Sequence, residues 1–311
     1  MKKVIVCIII LCVFACYAVT DKFYKLALDP KVPKNNIFES SHNKSKNDYS
    51  SLNLSEKNNQ FMSNTEEVTI TSFDNLLLNG YIKKANNSNK WALLVHGYTQ
   101  KASGLGHIGL KFLEKGYNVL IPELRGHGKS QGSYIGMGIH DSKDIVSWVL
   151  KIASIDPNAE IVLYGLSMGA ATVMNTSSKE DMQKYVKCII EDAGYTSAWD
   201  MFGYQLDKMY NLPAFPIMDS VNIMTKHRAS FELKEIESIK EVRQCKYPML
   251  FIHGYDDTFV PFDMGSLLYE TAKCPYKQSY FVKGAGHAET FKIDPDKYYQ
   301  VIFDFVDKFI K

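Results

Sequence analysis

Cysteine is scarce where it would carry chemistry. Of six cysteines, Cys7, Cys12 and Cys16 fall within the first twenty residues, which leaves Cys188, Cys245 and Cys274 for everything after them. An odd number, with no C-x-x-C pair and no Cys/His ligand spacing, argues against a zinc site; no metal and no cofactor is expected. A strong excess of one charge is lacking too. Thirty-six Lys and Arg face thirty-four Asp and Glu, for a formal net charge of +2, and no Lys/Arg cluster is interleaved with aromatics. That removes the electrostatic footprint of nucleic-acid binding, so no nucleic-acid partner is expected.

A long hydrophobic run is present at the N-terminus. Met1-Lys2-Lys3 precedes an uninterrupted apolar stretch from Val4 to Val19. As a helix rising 1.5 Å per residue it is slightly short for a bilayer core of about 30 Å, and it also fits the apolar region of a secretory signal. Residues 1–20 are therefore read as a signal or anchor segment. Lys2 and Lys3 argue that the amino end stays in the cytoplasm while the remainder crosses. Three fates compete: an uncleaved membrane anchor, cleavage after Ala18, or lipid attachment at Cys16, to which Phe14 is a poor fit. Residues 21–64 are read as a disordered tether, because from Asn35 to Asn64 the chain turns to Asn, Ser and Lys with isolated apolar residues at no steady period. Within that stretch Phe23–Leu28 reads as a short helical continuation of the anchor, with no function assigned.

Residues 65–311 read as one α/β domain; a chain 46% hydrophobic and 13% aromatic can bury a large core. Strand-like and helix-like segments alternate. A hairpin over Val68–Phe73 and Leu76–Lys83 leads into strands at Trp91–Val95, Tyr117–Pro122, Ala159–Gly165, Val186–Asp192, Tyr247–Ile252 and Gln278–Val282. Helices are predicted near 105–115, 139–155, 264–273 and 295–310. The strands are apolar on both faces, the pattern of a mostly parallel sheet with helices on both sides, in which the site lies at the carboxyl ends of the strands. His96, Arg125, Ser167, Asp192 and Asp257 fall there. A stretch at about 195–241 breaks the alternation with Tyr, Trp, Met, Phe and two prolines, and reads as a small helical cap able to give a substrate pocket an apolar wall. Cys245 and Cys274 each precede a strand expected to neighbour the other; a disulfide between them and three buried free thiols are both open.

The domain is organised around Gly165-Leu166-Ser167-Met168-Gly169, a G-x-S-x-G turn between a strand and a helix. Side chains at Gly165 and Gly169 would collide as strand and helix pack, and the turn thrusts the serine outward. A serine hydroxyl needs a base, and that base needs a carboxylate to hold its tautomer. His287, in a glycine-rich loop after the last strand, fits the base; the acid should follow the preceding strand, where Asp256 and Asp257 lie. Asp192, at another strand end, is a lesser alternative. His96, His127 and His253 fit better as residues that hold loops.

These motifs, with His96-Gly97-Tyr98, Arg125-Gly126-His127-Gly128, His253-Gly254 through Asp257 to Pro261, and Gly284-Ala285-Gly286-His287, resemble the bacterial α/β-hydrolase group of serine aminopeptidase S33-like and monoacylglycerol-lipase-like enzymes, particularly its membrane-anchored members. The resemblance runs from about Thr65 to the end. It implies the α/β-hydrolase fold, a catalytic set of Ser167, Asp257 and His287, and an oxyanion hole from the backbone N–H groups of Tyr98 and Met168. Glu123 stands where relatives often carry Asp. The implied activity is hydrolysis of carboxylic esters of small-molecule acyl substrates through an acyl-enzyme on Ser167; the alternatives are a peptidase or amidase releasing small residues, and a non-catalytic envelope binding protein.

Overall fold

The computed structural model describes residues 2–34 and 51–311. Eight strands form one sheet: β1 (Glu66–Thr71), β2 (Leu77–Lys83), β3 (Lys90–Val95), β4 (Asn118–Pro122), β5 (Glu160–Leu166), β6 (Val186–Asp192), β7 (Met249–Gly254) and β8 (Lys277–Val282). Their order is β1-β2-β4-β3-β5-β6-β7-β8. The β1–β2 and β2–β4 pairs are antiparallel, and every pair from β4 to β8 is parallel. This is the doubly covered α/β architecture expected from the two-faced apolar strands.

Alternation along each strand divides the core into two layers. Leu93 and Val95 of β3, Ile161 and Leu163 of β5 and Phe251 of β7 face one layer, which includes Trp148 and Ile152 of a helix at Ile139–Ile155. Ala92, Leu94, Val162, Tyr164 and Ile252 face the other, with Phe112 of a helix at Gly106–Glu114 and Phe303 of a helix at Pro295–Val306. The last helix stops at Val306, short of the residue 310 expected from its apolar spacing; Phe309 and Ile310 continue the packing without continuing the α-helix.

In chain order the α-helices are α1 (Lys2–Leu28), α2 (Ser51–Met62), α3 (Gly106–Glu114), α4 (Ile139–Ile155), α5 (Met168–Met174), α6 (Ala198–Tyr210), α7 (Ala214–Ala229), α8 (Ser238–Val242), α9 (Phe262–Thr271), α10 (Thr290–Ile293) and α11 (Pro295–Val306). The cap is built from α6, α7 and α8. Within α7 the first turn is broken at Phe215, whose φ/ψ are not helical.

The reading of residues 21–64 as a disordered tether is corrected at both ends, and residues 35–50 lie outside the described residues. α1 runs on through residue 28, with Thr20, Tyr24 and Leu28 buried at four-residue spacing. Thr20 donates to Ser220 Oγ (2.9 Å), and Arg228 of α7 holds Asp21 (2.7 Å) and the Tyr17 hydroxyl (3.0 Å). At the other end α2 lies against α3. Its Phe61 is fully buried, and a side chain at Gly109 would come within 2.6 Å of the Phe61 ring. Apolar period missed this helix because one deeply seated residue, admitted by a glycine on the facing helix, does the anchoring.

Arg125 is fully buried and ties the hairpin to α4. It forms paired hydrogen bonds with Asp144 (2.9 and 3.0 Å) and with Asp74 (2.9 and 3.2 Å), and a fifth with Tyr134 (2.9 Å). Removing one partner of such a cluster strands the others, so Arg125→Ala is expected to lower unfolding free energy by about 3–5 kcal/mol, read from denaturant midpoints. In the same loop the longer arm of Glu123 reaches the Lys129 N–H (2.6 Å), and the glycine at position 128, at φ 54°, leaves room for the Glu123 carboxyl, which a Cβ there would displace.

Candidate active site

β5 climbs buried to Gly165 and turns at Ser167 into α5. Ser167 has φ 56° and ψ −114°, a strained conformation for a residue with a side chain, held by the Ser167 N–H to Asp192 C=O bond (2.7 Å) and the Ala171 N–H to Ser167 C=O bond (3.0 Å). The flanking glycines are sterically required. A Cβ on Gly165 would stand 2.2 Å from Gly169 O, and one on Gly169 would stand 2.1 Å from Val95 O.

Ser167, His287 and Asp257 come together from three elements. His287 Nε2 lies 2.8 Å from Ser167 Oγ, and His287 Nδ1 lies 2.7 Å from Asp257 Oδ2. Asp257 is buried, and its Oδ1 accepts the Phe259 and Val260 N–H groups (2.8 and 2.9 Å). Burial alone would raise its pKa, but the adjacent His287 and the hydrogen bonds from His253 and His287 hold this carboxyl far below the usual range. Such a chain can move a proton from a hydroxyl to an imidazole while a fixed carboxylate steadies the ring.

The other candidate acids sit elsewhere. The Asp256 side chain is exposed. Asp192 accepts from the buried Tyr164 and Tyr298 hydroxyls (3.2 and 2.8 Å), and burial pushes it up to about 6. Of the remaining histidines, His96 spans Gly97 O and the Leu124 N–H, His127 spans Arg125 O and the Thr99 N–H, and His253 reaches Val260 O. Each ties a loop. Burial pushes His96 down to about 3, so its ring is neutral.

Met168 opens α5, where an N–H has no carbonyl within the helix to bond. Tyr98 follows Gly97, whose Cβ would stand 3.4 Å from Ser167 Cβ. Two hollows flank this point and both touch Tyr98. One, opening on Ser167 and His287, has a mixed lining, with Gln100, His107 and Glu289 beside apolar Leu54, Leu166 and Phe291. The other, open to solvent on one side, is walled by Met201, Phe202 and Met209 of α6 and bounded by Tyr98 and Phe259. Phe259 packs on His287 with ring centres 4.9 Å apart. Ser167 does not line the apolar hollow; Tyr98 and Phe259 connect the two. Sequence reading missed Phe259, although it lies two residues past Asp257 in the loop carrying the carboxylate.

Cys245 and Cys274 neighbour each other as free thiols, the Cys245 thiol donating to Tyr247 O (3.1 Å). Beneath the site Glu191 is fully buried, with one oxygen accepting from the Gly194 N–H (3.0 Å). Burial, the largest influence, pushes it up to about 8. A free Glu titrates near 4.3, so between these values the native state binds more protons than the unfolded one and stability falls as pH rises. Glu191→Gln, which resembles the protonated acid, should flatten that part of the melting temperature profile between pH 5 and 8; an unchanged slope would contradict it.

The family model for serine aminopeptidase, S33, matches residues 86–207. An uncharacterized Bacillus subtilis protein, YqkD, is 25% identical over 232 residues, covering 74% of this chain and 75% of that one. An uncharacterized membrane protein of Saccharomyces cerevisiae, YNL320W, is 25% identical over 245 residues, covering 78% and 79%. Among solved structures, the Pyrococcus furiosus esterase Pf2001 superposes with a TM-score of 0.65 at 24% identity, over 79% of this chain and 93% of that one, a likeness of fold.

Proposed function

We propose that this chain, which belongs to the α/β-hydrolase superfamily and is a hydrolase, cleaves carboxylic esters of small acyl substrates through an acyl-enzyme on Ser167. The observation that carries the reading is the continuous Ser167–His287–Asp257 hydrogen-bond chain, opening on one hollow that shares Tyr98 with a second, apolar one. His287 Nε2 takes the proton as Ser167 Oγ bonds to the ester carbonyl carbon. The carbonyl oxygen becomes an oxyanion, received by the N–H groups of Tyr98 and Met168; losing one such donor typically costs 10²- to 10³-fold. His287 then returns the proton to the departing alkoxide. Water, activated by the same ring, releases the acid and restores Ser167.

The lining of the hollow at Ser167 favours an ester over an aminopeptidase substrate. A peptide amine needs an available carboxylate, and Glu289, the acidic side chain lining this hollow among the described residues, is paired with Lys292 (2.8 Å). α1 is long and apolar enough to cross a membrane. With Lys2 and Lys3 as its first two residues, the reading extends to a cytoplasmic amino end and a domain held at the outer face.

The test is initial rates of the full chain in detergent micelles on nitrophenyl esters of increasing acyl length, beside aminoacyl nitroanilides, with Ser167→Ala as blank. Ser167-dependent turnover with an optimum among the esters supports the reading. Faster turnover of the anilides moves it to a peptidase, and no Ser167-dependent rate on either makes a binding protein the better account.

A further inference from the structure

The apolar hollow beside the active site has a wall that comes from neither the cap nor the sheet. Phe23, Leu26 and Ala27, in the last two turns of α1, line it opposite α6. The contact is fixed at the site end. The Tyr98 hydroxyl donates to Ala27 O (2.7 Å), and Lys34 Nζ donates to Leu26 O and Asp29 O (2.9 Å each). Thus one side chain both borders the Ser167 hollow and grips the end of α1.

The other end of α1 has the opposite character. Residues 2–19 are exposed and almost wholly apolar, and burial begins at Thr20. Tyr17 and Arg228, bonded at 3.0 Å where the exposed stretch ends, are the residue types found at a bilayer surface. From Val19, four residues to Phe23 and eight to Ala27 rise about 6 and 12 Å. The hollow therefore lies one to two helical turns from the segment able to enter lipid.

We infer that the last two turns of α1 are a specificity element of the active site: they wall the acyl pocket, set the chain length it accepts, and place its mouth where an ester whose acyl chain lies in a bilayer can enter. The inference rests on the ester-hydrolase reading for its substrate but makes its own demand on α1. An anchor that only tethers would leave chain-length preference indifferent to residues 23–27; one that walls the pocket would not. A methylene in such a pocket is worth 10- to 200-fold in selectivity.

The experiment compares full-length wild type, Ala27→Trp and Phe23→Ala in micelles, reading the ratio of kcat/KM for nitrophenyl decanoate to that for nitrophenyl acetate. Ala27→Trp fills the hollow and should lower the ratio at least tenfold; Phe23→Ala enlarges it and should move the optimum to longer chains. A diazirine-bearing dodecanoate is photo-crosslinked to the same proteins, with adducts mapped by mass spectrometry. Adducts on residues 23–27 that Ala27→Trp abolishes are expected. If Phe23→Ala keeps the wild-type chain-length profile and no adduct maps to residues 23–27, the inference is overturned. Wild type without Ser167-dependent ester turnover defeats the ester-hydrolase reading instead, and the adduct map still decides whether α1 walls the pocket.

Discussion

Replacing Ser167 by alanine is expected to lower kcat on the best nitrophenyl ester by about 10⁶-fold while leaving the melting temperature unchanged. A loss of that size is about 8 kcal/mol of transition-state stabilisation. It follows from the role assigned to Oγ, since without it neither acylation nor an acyl-enzyme exists. The fold should not notice. Alanine carries the same Cβ at φ 56°, and the backbone bonds to Asp192 and from Ala171 remain; the hydrogen bond lost from the side chain is the one to His287. Steady-state rates and a thermal melt of the same preparation check both halves. Residual activity within a hundredfold of wild type would remove Ser167 from the chemistry.

Asp257→Asn should cost about 10⁴-fold in kcat, with little change in substrate binding. An amide oxygen can keep the Phe259 and Val260 N–H groups that Oδ1 now accepts. The amide NH₂ then faces His287 Nδ1, where a carboxylate oxygen lay at 2.7 Å, and two donors cannot share that contact. The ring is driven to the tautomer with its proton on Nε2, the nitrogen beside Ser167 Oγ, and cannot accept the serine proton. Asp256→Asn serves as the control, because that side chain is exposed and should change the rate less than twofold. A damaging Asp256→Asn beside a harmless Asp257→Asn would reassign the acid.

The parallel sheet was legible in the sequence because its signals are local. Trp91–Val95 and Glu160–Gly165 are apolar on both faces, and the glycines at 165 and 169 state their steric reason at a spacing of four. That Ser167, His287 and an acid at Asp256 or Asp257 lie near one another was legible for a related reason, since residues at strand ends of a parallel sheet share one edge of the molecule, while the choice of Asp257 over Asp256 came from the family resemblance. What did not show were contacts made by single side chains across long separations. Phe61 seats α2 beneath Gly109, and the Tyr98 hydroxyl grips α1 seventy-one residues away, with no period to announce either. Residues 23–28 read as a helical continuation, yet their partners on α6 and α7 lie some two hundred residues further on. Burial at Thr20, Tyr24 and Leu28 is visible only once those helices are in place.

The packing of α1 and α2 also bears on how the chain should be handled. Tyr24, Leu28 and Phe61 are buried core residues, so a fragment starting after residue 62 exposes the surfaces they cover. Every rate above therefore refers to the full chain.

The central claim is that His287 makes Ser167 a nucleophile, and a fluorophosphonate probe tests it without knowledge of the substrate. Such a reagent phosphonylates an activated serine and expels fluoride. The full chain in micelles should gain one adduct by intact mass, mapped to Ser167, and His287→Ala should slow its formation by several orders of magnitude. An unmodified Ser167, or labelling at the same rate without His287, would contradict the account.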